Sequence, residues 1–191
     1  MRLLAILLAF LIGGATAIVL TWYASARGNG FGAVQIGAWT AWPKAGTTDA
    51  DPYARAAFAR SGELPLELAD GIAFIATSDD DGRALDGRCD IRIRGRLPQA
   101  RLWTLTLYDG RGRLIDNAAE RYGFTSAEVV WNPDRGVEIV LAPRARPGNW
   151  LPTGGRDRVT AVLRLYDAPV DVGSGAGDRS SMPTVTQERC P

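Results

Sequence analysis

The sequence predicts a mainly β chain: an antiparallel β-sandwich of jelly-roll-like kind, with one short helical segment before it and a single transmembrane helix at the N-terminus. Three observations carry this expectation. The run Leu3–Tyr23 holds no charged residue. From Gly71 onward the apolar residues recur with a period of two, the mark of half-buried strands. Turn signals such as Asp81-Gly82, Asp109-Gly110 and Arg135-Gly136 punctuate those runs at hairpin spacing.

The elements follow in chain order. Leu3 to Tyr23, as a helix rising ~1.5 Å per residue, covers about 31 Å, enough for a hydrocarbon core of about 30 Å. Trp22 and Tyr23 close the run as interfacial aromatics do. Arg2 precedes it and Arg27 follows, a slight bias toward a cytoplasmic N-terminus. Ala24-Ser25-Ala26 has the small-x-small form of a signal-peptide cleavage site, so residues 1–26 read as a retained anchor or a cleaved signal, and length favours the anchor. Either way the rest of the chain crosses the membrane. Residues 27–34, with Gly28 to Gly32, read as linker.

Residues 35–170 form the expected sandwich domain. Asp51-Pro52 opens its short helix, Asp51 capping and Pro52 at the first helical position. Gly62 is placed to end that helix, and Leu66 to Asp70 reads as a weak further turn. Strands are expected at Ile72–Thr77, Cys89–Arg94, Leu102–Tyr108, Arg113–Ile115, Glu128–Trp131, Val137–Leu141 and Val159–Tyr166. Residues 171–191, rich in Gly, Ser and Pro, read as an extended tail pinned at Cys190. Cys89 and Cys190 are the two cysteines. In an oxidising compartment they suggest a disulfide, with two buried free thiols as the alternative.

Composition excludes several functions. With Lys plus Arg at 22 against Asp plus Glu at 21, the net charge of +1 gives no nucleic-acid footprint. The chain has no His, which removes Ser–His–Asp and Cys–His catalysis and His-ligated zinc. No cofactor and no metal site is expected. The acidic run Asp79 to Asp81 fails the EF-hand spacing, since Arg88 falls at the twelfth position, and reads as a solvated hairpin turn.

An ordered set of segments carries a family resemblance: Asp51–Ala56, Ser61–Leu66, Gly87–Asp90, Trp103–Asp109, Tyr122–Ser126, Arg146–Thr153 and Leu163–Asp167. Over roughly residues 35 to 170 the chain resembles the bacterial "domain of unknown function 1214" family. Members of that family often follow a second uncharacterised domain of the "1254" type, whose place an anchor takes here. The resemblance implies a β-sandwich and no established catalytic residues.

Alternation assigns the candidate site. Thr104 and Tyr108 oppose Trp103, Leu105 and Leu107; Arg164 and Tyr166 oppose Leu163 and Leu165. Together with Arg92 and Arg94 these suggest one face of Arg, Thr and Tyr, either a ligand face or the wet side of a sheet. Trp150, in Asn149–Thr153, reads as the tip of a rigid loop or as a core plug.

The functional expectation is a single-pass protein of the bacterial inner membrane with a periplasmic domain. That domain would bind a small anionic or sugar-like ligand or an envelope protein. The alternatives are a His-free hydrolase or lyase using Asp109, Arg92 and Arg164, or a purely structural envelope protein.

Overall fold

A computed structural model describes residues 2–26, 32–61, 65–66, 69–169, 182–188 and 190. Helix α1 (Arg2–Ala26) contains a stretch, Arg2–Tyr23, long and apolar enough to cross a membrane, and its side chains are exposed throughout that stretch. A signal sequence would have the same character. Beyond it stand β1 (Val34–Ile36), β2 (Trp39–Ala41), α2 (Pro52–Ser61), β3 (Gly71–Ala76), β4 (Asp90–Gly95), β5 (Leu102–Asp109), β6 (Gly123–Thr125), β7 (Val137–Ala142), β8 (Asn149–Pro152), β9 (Val159–Tyr166) and β10 (Thr184–Glu188).

The strands make two sheets, neither closed into a barrel. The larger runs β1-β2-β3-β9-β5-β6 and the smaller β10-β4-β7-β8. Among the described residues every pair is antiparallel except β7 with β8, so the smaller sheet is mixed. The alternation of each strand turns one set of side chains inward. Phe74, Leu105, Leu107, Leu163 and Leu165 of the larger sheet share one core with Ile91, Ile93, Ile139, Leu141, Leu151 and Val185 of the smaller. Each such side chain contributes about 1.5–3 kcal/mol by leaving water. Trp39, fully buried, donates its indole N–H to the Pro183 carbonyl at 2.7 Å.

The N-terminus of α2 is capped as expected. Asp51 Oδ1 accepts the N–H groups of Tyr53 (2.9 Å) and Ala54 (3.3 Å). Residues 27–31 and Gly62 lie outside the described residues, and Pro65 and Leu66 are not helical.

Several expected strands resolve differently. Arg113–Ile115 contributes a single bridge, Leu114 to Tyr108, because β9 and β6 already occupy the two edges of β5. Glu128–Trp131 likewise makes one bridge, Trp131 to Val137, since β4 and β8 flank β7. Asn149–Thr153 is not a loop: its first four residues are β8. The far end of the tail is β10, hydrogen-bonded along β4 from Thr184↔Arg94 to Glu188↔Asp90. The Cys89–Cys190 disulfide (S–S 2.04 Å) clamps that strand at its C-terminal end, across 101 residues of chain.

Candidate functional site

The six residues expected on one face divide between two, and Trp150, expected on a loop, joins one of them. Thr104 and Tyr108 of β5 and Arg164 and Tyr166 of β9 share the outer face of the larger sheet, where Thr104 pairs with Arg164 and Thr106 with Val162. Arg92 and Arg94 of β4 and Trp150 of β8 lie on the outer face of the smaller sheet, across the core. Alternation within a strand assigned each side chain correctly to inside or outside. It held no information about which sheet a strand joins.

The outer face of the larger sheet combines hydroxyls with an aromatic and a cation. In register across it lie Ala73, Arg164, Thr104 and Thr125, with Tyr108 and Thr160 paired further along the strands. The Arg164 guanidinium reaches back along its strand, 5.8 Å from the Tyr108 ring centroid, and donates to the phenol oxygen at 3.4 Å. Helix α2 roofs one side of this face. Its Phe58 meets Trp42 edge-on with centroids 6.4 Å apart. Phe58, Trp42, Leu66, Ala73, Ile75 and Arg164 line a cavity of about 30 Å³ between helix and sheet, room for one water. On the other side of Trp42 an open cleft of about 390 Å³ is bounded by Lys44, Asp49, Asp51 and the start of α2. Arg55 folds back and donates to the carbonyls of Ala50 (3.0 Å) and Thr48 (2.9 Å), holding the wall of that cleft.

The outer face of the smaller sheet is an ion-pair lattice. Arg92 donates to Glu138 (2.5 Å) and to Glu188 of β10 (2.8 Å), and Arg94 stands 3.8 Å from Glu138. Asp90 is buried and takes a bidentate fork from Arg146, with contacts of 2.8 to 3.0 Å. Trp150 is neither a loop tip nor a plug. It lies beside Val140, half-buried, and donates its indole N–H to the Ala142 carbonyl at 3.1 Å.

The acidic turn after β3 is solvated at Asp80 and Asp81, as expected, but not at Asp79. Asp79 is 2% exposed. Its Oδ1 accepts the backbone N–H groups of Asp81 (3.2 Å) and Arg83 (2.8 Å), and Oδ2 accepts the Arg83 guanidinium (2.9 Å). Asp80 joins distant segments, accepting from Ala38 N–H (2.9 Å) and from Val185 N–H of β10 (2.7 Å). The turn after β5 repeats the design: Asp109 accepts the N–H groups of Arg111 and Arg113, both at 2.9 Å, and the Arg113 guanidinium. Both turns read Asp-x-x-Gly-Arg, with Gly82 and Gly112 at φ 82° and 74°, a region glycine enters without strain.

These bonds set the acidities. Burial pushes the Asp79 carboxyl up, but the Arg83 and Gln187 donors outweigh it and leave it below its usual value. Asp109 is lowered chiefly by the Arg113 backbone N–H, and Asp86 by the Arg88 guanidinium. Asp109 is therefore an ionised turn residue. It does not converge with Arg92, on the other sheet, or with Arg164, at mid-strand, so the carboxylate–arginine centre expected of a His-free hydrolase is not formed by these three. No cluster of three or more acidic or cysteine side chains suited to a metal occurs among the described residues.

The model of the family described as "Protein of unknown function (DUF1214)" matches residues 70–170, from the start of β3 past the end of β9. The chain belongs to that family. The DUF1214 stretch thus supplies the central strands of both sheets and most of the core, while α1, β1, β2, α2 and β10 lie outside it. The helix that roofs the larger sheet and the cysteine that pins β10 are therefore not part of the matched stretch. No curated protein matches the chain. Among solved structures it is similar to the VPA0106 protein of Vibrio parahaemolyticus, at 23% identity and TM-score 0.60 over 74% of this chain; the matched region is 36% of that protein's length. An uncharacterised Burkholderia cenocepacia protein aligns at 20% identity and TM-score 0.43, covering 62% of this chain and 29% of its own. The Vibrio likeness extends to the fold.

Proposed function

We propose that this DUF1214 domain is a membrane-tethered binding module of the bacterial cell envelope, with its sandwich on the periplasmic side of the inner membrane. A small anionic or sugar-like ligand would be held on the outer face of the larger sheet. The tether is α1, retained as a single-pass anchor. The disulfide supports the address, since such bonds persist in oxidising compartments. The observation that carries the binding reading is the gathering of Thr104, Tyr108, Arg164 and Tyr166 on one face, beside a cleft walled by α2 and Trp42. Phenols and threonine hydroxyls recognise ligand hydroxyls, and a guanidinium forks onto carboxylate, sulfate or phosphate.

The test is a thermal-shift screen of the full chain in detergent against phosphate-, sulfate-, carboxylate- and sugar-bearing probes. One class should raise Tm. The shift should vanish in Arg164→Gln and shrink in Tyr108→Phe, yet persist in Arg94→Gln on the opposite face. A chain indifferent to every class, or a shift that survives Arg164→Gln, overturns the reading.

A further inference from the structure

We propose that α2 is the surface by which the domain lies on the bilayer, its exposed side against anionic lipid headgroups. The inference rests on α1 being a retained anchor, and it adds an orientation that anchoring alone leaves open. Trp22 is the penultimate residue of the apolar stretch Arg2–Tyr23. A bilayer around that stretch puts the Trp22 ring at the headgroup boundary, where such aromatics reside. The Arg60 guanidinium stands 5.2 Å above the same ring. Arg60 is the basic residue of the last turn of α2, so α2 reaches headgroup depth by contact and not merely by linkage.

The composition of α2 suits that position. Ala54 is buried and Phe58 half-buried against the domain, while Tyr53, Arg55, Ala56, Ala59 and Arg60 are exposed. Pro52–Ser61 contains two arginines and no acidic residue. Asp51, just outside it, is engaged in capping. A helix with cationic heads, one exposed tyrosine and small alanines between them fits the polar margin of a bilayer and lacks the large apolar side chains needed to sink deeper. Of the docking partners an exposed cationic helix can have, the bilayer is the one whose position is already marked, by Trp22. With α2 down, the outer face of the smaller sheet points away from the membrane.

The experiment uses the full chain in vesicles of phosphatidylethanolamine and phosphatidylglycerol. The photo-crosslinking residue p-benzoylphenylalanine replaces Tyr53 in one sample and Thr186, exposed on β10, in another. Lipid adducts are counted by mass spectrometry after illumination, and an alkaline wash reports anchoring separately. The expected result is wash-resistant protein with lipid adducts at position 53 well above those at 186. Arg60→Glu should lower the adduct yield at 53 by about fivefold without releasing the chain. Equal yields at the two positions, or protein–protein adducts dominating at 53, overturn the docking surface while leaving the anchor intact. Release by the wash overturns the anchor and the docking surface together.

Discussion

The two outer faces of the sandwich surround their arginines with different groups among the described residues. On the smaller sheet, Arg92, Arg94 and Arg146 are met by Glu138, Glu188 and Asp90, within one sheet and its flanking loop. Charge is balanced there, and much of it is spent joining β10 and the loop after β7 to the centre of the sheet. On the larger sheet, Arg164 lies along a row of hydroxyls, against a phenol and under a helix. A face whose charges cross-link its own strands is holding the fold together; the face that gathers hydroxyls beside a cleft is the one on which we place the proposed ligand. The faces differ in covalent history too: the disulfide secures the edge of the smaller sheet, and α2 covers part of the larger.

The largest effect is expected from Cys89→Ser with Cys190→Ser. A bond closing 101 residues restrains the unfolded chain by ~4 kcal/mol, which lowers Tm by roughly 10 °C at this size. Hydrogen exchange should rise in β10 and β4 before it rises in β5 and β9. Equal loss of protection in both sheets would mean that they open as one unit and differ only in surface chemistry. Next comes Asp90→Ala, which strands the Arg146 guanidinium. Because Arg146 is about a third exposed, the cost is about 2 kcal/mol rather than that of a fully buried pair. Thr104→Ala, on the other face, should cost within about 0.5 kcal/mol. Urea denaturation of both variants would blur the distinction if the two losses came out alike.

Acid should reach the turns of the larger sheet. Asp79, Asp86 and Asp109 all lie below the usual 3.8 in the folded chain. Their contribution is therefore complete above the unfolded value and is lost as pH falls through the folded ones. Tm should hold from pH 7 to about 5 and fall below about pH 4, less steeply in Asp79→Asn. A Tm that fell between pH 7 and 5 would assign the acid sensitivity to other groups. A further small effect is that of Gly112→Ala: a Cβ there meets nothing within 4 Å, so the cost is conformational alone, about 1 kcal/mol. An unchanged stability would mean that the turn does not need its positive φ.

Much of the sandwich was legible because a strand's period is local. The inward set Trp103, Leu105 and Leu107 and the outward set Thr104, Thr106 and Tyr108 follow from alternation alone. The same holds for Asp51 as a cap, a bond that spans two residues. The short strands were not legible. Strands β1 and β2 have three residues each, too few to establish a period, and β8 runs parallel to β7, which no hairpin signal announces. Asp79 read as solvated because nothing in an acidic run reveals that neighbouring N–H groups and an arginine four residues on will enclose it.

The sequence by itself determined the apolar helix, the two-layer β architecture, the inward and outward side of each long strand, and the absence of any histidine chemistry. Each of these depends on composition or on spacing within a few residues. Only the tertiary structure decided that Arg92 and Arg164 stand on opposite faces, that the tail returns as β10, and that α2 lies over the larger sheet. Those are pairings between segments tens of residues apart. They are chosen by which edges remain open and which apolar surfaces fit once the other strands are in place, and no local pattern encodes that.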